Sequence, residues 1–257
     1  RGCHIFDDKS YDWQEQPLRE ALIAAKKSDA VILCMGLNPS MEGEEGDAYN
    51  GANSGDKADI ELPPSQIKLL KEVAAMGKPM IFVNVTGSCV NLSLPNQLCD
   101  AILQAFYPGA EGGDAIADIL FGKACPSGKL PVTFYKSTDQ LPDFADYSMD
   151  NRTYRYFKEE PLFPFGFGLS YTTFEVSDAV FGEESVTCRV KNTGGCDGKA
   201  VIQVYAKSPG YPELNRQLTG FGKFFLKQGE EREVTIPLCG EILEKLHQYG
   251  EARFEIL

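Results

Sequence analysis

Histidine is nearly absent: His4 and His247 are the only two, near opposite ends of 257 residues. A histidine-based zinc site and a Ser-His-Asp triad both need an imidazole held beside other functional groups, so neither is expected. The eight cysteines (Cys3, Cys34, Cys89, Cys99, Cys125, Cys188, Cys196, Cys239) include no C-x-x-C pair, and several stand in apolar contexts such as Ile32-Leu33-Cys34. That is the usage of small buried hydrophobes in a reducing compartment, not of a disulfide framework. No run of about 18 apolar residues is present to span a membrane, and Arg1-Gly2-Cys3-His4 begins without the charged and apolar regions of a signal peptide. Gly87-Ser88-Cys89 lacks the second glycine of a nucleophile elbow. Cations are outnumbered, 25 Lys and Arg against 37 Asp and Glu, for a net charge of −12. Nucleic acid and anionic membrane, which both need a positive surface, are therefore disfavoured as partners, and a neutral substrate fits better.

What the sequence does hold is length and apolar content, 43% hydrophobic residues, enough for two domains or one larger α/β domain. Its organising stretch is Val31 to Leu62. The apolar run Val31-Ile32-Leu33-Cys34-Met35-Gly36 empties into Met41-Glu42-Gly43-Glu44-Glu45-Gly46-Asp47, and a helical segment follows Pro63-Pro64. This reads as strand, long loop, helix, and in open α/β sheets the loop leaving the carboxyl end of a strand is where chemistry is placed. Glu42, Glu44, Glu45 and Asp47 lie too close in the chain to ionise together at ordinary cost, so at least one should retain its proton near neutrality, as a general acid requires. An acidic, solvated loop is the plainer alternative, but it gains nothing from Gly43, Gly46, Gly51 and Gly55. A calcium loop fails on spacing, because the twelfth position counted from Glu42, Glu44 or Asp47 is never glutamate.

In chain order, apolar positions 18, 21, 22 and 25 form a helical face ahead of the first strand. A second helix runs from Pro63-Pro64 to Ala75, followed by the continuous apolar strand Met80-Ile81-Phe82-Val83-Asn84-Val85, of the kind buried on both faces. Asn96 to Cys99 is too short to assign, Ala101 to Phe106 reads as a third strand, and Asp114 to Phe121 as a helix closed by Gly122. Helix and strand alternating from Pro17 to Phe134 predict a mostly parallel sheet covered on both faces. Polar, proline-containing residues 139–150 then lead to an aromatic segment, Tyr154-Arg155-Tyr156-Phe157 and Phe163-Pro164-Phe165-Gly166-Phe167-Gly168-Leu169-Ser170-Tyr171. Such a cluster is expected to pack between domains, with sugar stacking as the lesser reading. From Phe174 onward, period-two strands at 186–190, 200–205, 220–226 and 232–238 alternate with turns at Asn192-Thr193-Gly194-Gly195 and Gln228-Gly229-Glu230. These predict an antiparallel sandwich of immunoglobulin or fibronectin type. Ala252 to Leu257 is strand-like, and a sandwich edge is expected to be missing after it.

In this order the motifs resemble the C-terminal half of glycoside hydrolase family three, the β-glucosidases and β-xylosidases. They are Gly36-Leu37 through Glu42-Gly43-Glu44-Glu45-Gly46, Gly55-Asp56-Lys57, Ile60-Glu61-Leu62-Pro63, Tyr107-Pro108-Gly109 with Gly112-Gly113, Gly128-Lys129-Leu130-Pro131-Val132-Thr133-Phe134, and Arg152-Thr153-Tyr154-Arg155-Tyr156 with Pro164 to Tyr171. The resemblance implies an α/β fold: a mostly parallel α/β sandwich over 1–135, an aromatic-rich linker over 136–171, and an all-β fibronectin type III-like sandwich over 172–257. It further implies a (β/α)₈ barrel, absent from this sequence, that carries the nucleophilic aspartate, so that the chain is a fragment or one chain of a cleaved enzyme. On that reading Glu45 is the general acid/base, with Glu44 and then Glu42 as alternatives. Asp47 bonds within the loop or to a sugar hydroxyl, and Asp56 with Lys57 forms a structural pair. The implied substrate is a β-linked oligosaccharide or aryl glycoside, with no cofactor and no metal, in the bacterial cytoplasm or periplasm. The competing class is a non-catalytic carbohydrate-binding or adhesion module, against which the glycine-spaced acidic loop speaks, since binding has no use for a shared proton.

Overall fold

The structure, a computed structural model, describes residues 15–42, 57–143, 145–211 and 214–257. It divides into two compact units, one of residues 1–114 with 134–140 and one of residues 115–133 with 141–257.

The first unit is built on three parallel strands in the order β1 (Val31–Gly36), β2 (Met80–Val85), β3 (Ala101–Gln104). Helices α1 (Glu15–Lys27) and α3 (Pro64–Ala74) lie against one another, and α3 starts where expected, with proline in its first turn. α3 turns Leu69, Leu70 and Val73 inward, and the sheet contributes Leu33, Met35, Met80, Phe82 and Val83 to the buried set. β1 is one of the two edge strands of the described sheet and is less covered than the parallel-sheet reading anticipates: Ile32 remains 45% exposed. The end of β1 is fixed by a side chain acting as a strand partner, because the Gln66 amide accepts from Gly36 N at 3.0 Å and donates to Gly36 O at 2.7 Å. In β2 the one polar side chain, Asn84, is fully buried and donates to Gln104 Oε1 of β3 at 2.5 Å.

Two short helices escape the sequence reading. The acidic loop opens with a helical turn, α2 (Pro39–Glu42), and the unassigned stretch after β2 holds α4 (Ser93–Leu98). Both are too short for a hydrophobic period to register. α5 (Gly112–Leu120) ends at Gly122, whose φ of +73° suits a helix terminus.

The second unit holds two three-stranded antiparallel sheets. One has the order β4 (Phe174–Phe181), β5 (Ser185–Asn192), β8 (Glu231–Pro237); the other has β7 (Gln217–Leu226), β6 (Gly198–Lys207), β9 (Arg253–Ile256). Val186, Cys188, Val190, Val234 and Ile236 from the first sheet meet Ala200, Ile202, Val204 and Leu226 from the second in one core, with every second residue of β5, β6 and β8 contributing to it. The turn after β5 is held by Asn192, whose buried amide donates to Cys196 O at 2.9 Å and Leu226 O at 3.2 Å. A helix that the sequence reading lacks, α7 (Gly240–His247), packs Leu243 and Leu246 against Ala206 and Leu214.

The expected burial of the cysteines is corrected. All seven described cysteines are free thiols, but only Cys188 is buried, while Cys34 and Cys239 are exposed. Cys34 points outward from edge strand β1 and lines an open groove of about 910 Å³ with Pro17, Ala21 and Ile32, so its apolar sequence neighbours do not enclose it.

Around α6 (Thr153–Tyr156) the aromatic segment is knit to the β6 and β7 strands of the same unit. Tyr154 stacks on Phe165 with ring centroids 4.1 Å apart, Asn215 donates to Tyr154 O and Phe157 O at 3.1 and 2.7 Å, and Gln203 donates to Gly166 O at 3.0 Å. Phe165 is half-buried, so Phe165→Ala should lose roughly half of the full Phe→Ala cost, about 2 kcal/mol. That corresponds to a melting temperature about 5 °C lower. Calorimetry on the variant checks this, and an unchanged transition would mean that the ring stack contributes nothing.

Candidate functional site

The loops that follow β1, β2 and β3 converge at the carboxyl ends of the parallel strands. Glu42, the last residue of α2, sits at their meeting point. Its Oε1 accepts hydrogen bonds from Gly87 N (3.2 Å), Ser88 N (3.1 Å) and Ser88 Oγ (2.7 Å). Its Oε2 accepts from the Tyr107 hydroxyl at 2.7 Å. Gly87 is needed for this approach, since a Cβ there would stand 2.6 Å from the Tyr107 ring and 2.7 Å from Glu42 Oε2. Burial of the phenol and its hydrogen bond to Glu42 push the Tyr107 pKa up to about 12, so the hydroxyl remains a donor throughout the neutral range.

The chain re-enters the described structure at Lys57, whose Nζ donates to Ser88 Oγ at 2.6 Å and to Cys89 O at 3.0 Å. Burial lowers the Lys57 pKa, and the nearby Glu42 carboxylate acts in the opposite direction. Of the residues singled out in the sequence, Glu44, Glu45, Asp47 and Asp56 lie outside the described residues. Glu42 and Lys57 are the members placed, and both reach Ser88. The sequence reading missed Ser88 and Tyr107 as partners. Ser88 figured there only as part of an incomplete nucleophile elbow, and Tyr107 only as the start of a Tyr-Pro-Gly motif.

Among the described residues no group of three or more His, Cys, Asp or Glu is placed to hold a metal ion, and no helix is long and apolar enough to cross a membrane. The site as described can hold a carboxylate rigidly through four donors at the mouth of the sheet.

Comparison with known proteins gives these residues a family. The signature of the glycosyl hydrolase family 3 C-terminal domain matches residues 8–171. A xylan 1,4-beta-xylosidase of Xylanibacter ruminicola is 45% identical over 234 residues, covering 88% of this chain and 27% of that protein. A periplasmic beta-glucosidase of Salmonella typhimurium is 38% identical over 89% of this chain and 32% of its own length. The chain thus spans about a third of the length of these relatives. Among solved structures, a GH3 beta-glucosidase of Bifidobacterium adolescentis is similar over 98% of this chain and 40% of its own, with a TM-score of 0.78 and 30% identity. Since the family signature covers well over half of the sequence, the chain belongs to glycosyl hydrolase family 3.

Proposed function

We propose that this chain supplies the general acid/base of a retaining β-glycosidase acting on β-linked xylosides or glucosides, and that the nucleophilic carboxylate comes from a (β/α)₈ barrel outside this sequence. The observation that carries the reading is the placement of Glu42 and Lys57, which flank the acidic segment in the sequence and both bond Ser88 at the carboxyl ends of the parallel strands. A retaining glycosidase needs two carboxyl groups about 5–5.5 Å apart, one attacking the anomeric carbon and the other protonating the leaving oxygen and then activating water. Glu45 takes the second role, Glu44 is the next candidate, and Asp47 contacts a sugar hydroxyl. Glu42 comes last, because four hydrogen bonds engage its two oxygens and neither is left to carry a proton to a substrate. No metal or cofactor enters the chemistry. The relatives are a xylan 1,4-beta-xylosidase and a beta-glucosidase, which favours this reading over a binding or adhesion module.

In the same reading the chain is an α/β sandwich over 1–135, a linker over 136–171 and a fibronectin type III-like sandwich over 172–257. The test is hydrolysis of nitrophenyl β-xyloside and β-glucoside by the chain alone and by the chain mixed with a separately made barrel. The lone chain is expected to show no turnover, because a proton donor without a nucleophile supplies only part of the barrier reduction. Turnover by the lone chain, abolished by Glu45→Gln, would overturn the split site and require a nucleophile within this sequence.

A further inference from the structure

The Ser88 hydroxyl is bonded on both sides. It donates to Glu42, the residue before segment 43–56, and accepts from Lys57, the residue after it, at 2.7 and 2.6 Å. We propose that Ser88 is a positioning residue for the acid: through one hydroxyl it fastens together the two chain ends between which Glu45 lies. The inference rests on the reading of Glu45 as the acid and adds to it the group that fixes where the acid is presented.

Three features make this a built link. The hydroxyl has one proton, which goes to the carboxylate, and its lone pairs face an ammonium, so both bonds are charge-assisted and neither competes with the other. The anchor is rigid, since Ser88 N and Gly87 N also hold Glu42 Oε1 and Lys57 is tied a second time to Cys89 O. Tyr107, arriving from the loop after β3, closes the other carboxylate oxygen. A misplacement of about 1 Å at a reacting group can cost about 10²-fold in rate, so the position of a loop base is a rate-determining property of the acid it carries.

The experiment uses the whole glycosidase and compares kcat and KM for a substrate with a poor leaving group, such as an alkyl β-glycoside, with those for a nitrophenyl glycoside. Ser88→Ala is expected to lower kcat on the alkyl glycoside by about 10- to 10²-fold, with KM held within about twofold and a much smaller loss on the nitrophenyl substrate. Ser88→Thr, which keeps the hydroxyl, should restore most of the rate. Lys57→Met should act in the same direction, and the Ser88→Ala/Lys57→Met double variant should lose less than the product of the two single losses, because both variants cut the Ser88–Lys57 bond. As a readout independent of turnover, amide hydrogen exchange in peptides spanning 42–57 should rise about tenfold in Ser88→Ala, while peptides from β1 and β2 stay protected. If Glu45→Gln shows a leaving-group-dependent loss and Ser88→Ala does not, the positioning role is overturned and the acid assignment stands. If Glu45→Gln shows no such dependence, the acid assignment falls and the positioning role with it. Equal losses on both substrates in Ser88→Ala, with a lowered melting temperature and no rescue by Ser88→Thr, would make Ser88 merely structural and overturn the proposal.

Discussion

Glu45→Gln in the whole glycosidase is expected to slow hydrolysis of alkyl and oligosaccharide substrates by about 10²–10⁴-fold, the usual contribution of a general acid, and to slow activated aryl glycosides far less. The difference follows from what the leaving group needs. An alkoxide departs only if protonated in the transition state, whereas a nitrophenolate is stable enough to leave without help. Glutamine keeps the size and hydrogen-bonding shape of glutamate but has no acidic proton, so the loss reports proton transfer and not packing. In the second half-reaction the same carboxylate acts as base toward water. Azide, which needs no deprotonation to attack the glycosyl-enzyme, should therefore restore the aryl-glycoside rate. Equal losses on both substrate types, or a normal enzyme, would move the role to Glu44 and then to Glu42.

Gly36→Ala is expected to destabilise the protein by more than about 4 kcal/mol, which places it among the largest single-residue effects. Gly36 has φ +138°, and a Cβ built there stands 2.0 Å from Val85 O and 2.6 Å from Val85 C. Those are backbone atoms of the neighbouring strand, where Leu37 N donates to Val85 O at 2.9 Å, so no rotamer change can make room. Relief would require parting β1 from β2 at the point where the site begins. Gly77→Ala is the matched control: its φ of +65° is also unfavourable for alanine, but nothing lies within 4 Å of its Cβ position, and a cost of about 1 kcal/mol is expected. Urea denaturation of the two variants separates backbone strain from collision. Similar midpoints for both would mean that the close approach at Val85 does not limit stability.

The elements most legible in the sequence are those whose burial is periodic. β1 and β2 fall at Val31–Gly36 and Met80–Val85 as read, because aliphatic runs ending at Gly36 or beginning after Gly77-Lys78-Pro79 leave little freedom in placement. β5, β6, β7 and β8 follow from inward Val186, Cys188 and Val190 and their counterparts. α7 was hidden although Ile242, Leu243 and Leu246 have helical spacing, because no side-chain cap marks its start at Cys239 and strand-like residues follow at once. The site divides along another line. Its acidic segment is visible as a local anomaly of charge and glycine. The partners of Glu42 come from Ser88 and Tyr107, brought to it only by the pairing of β1 with β2 and of β2 with β3. No local pattern announces a contact made through two strand pairings.

The buried Asn84 bears on how this sheet finds its pairing. Met80-Ile81-Phe82-Val83 is apolar on both faces, so a slipped β2 would still bury greasy side chains, and hydrophobicity alone is a poor judge of alignment. Asn84 supplies the missing penalty. In the native alignment its amide faces Gln104 across the β2–β3 pair, whereas displacement by one residue would oppose it to a neighbour that cannot accept its protons. Its own carbonyl oxygen meets no donor among the described residues, so the side chain adds little to stability. Its worth lies in making the wrong sheets worse, a form of proofreading carried out while the chain folds.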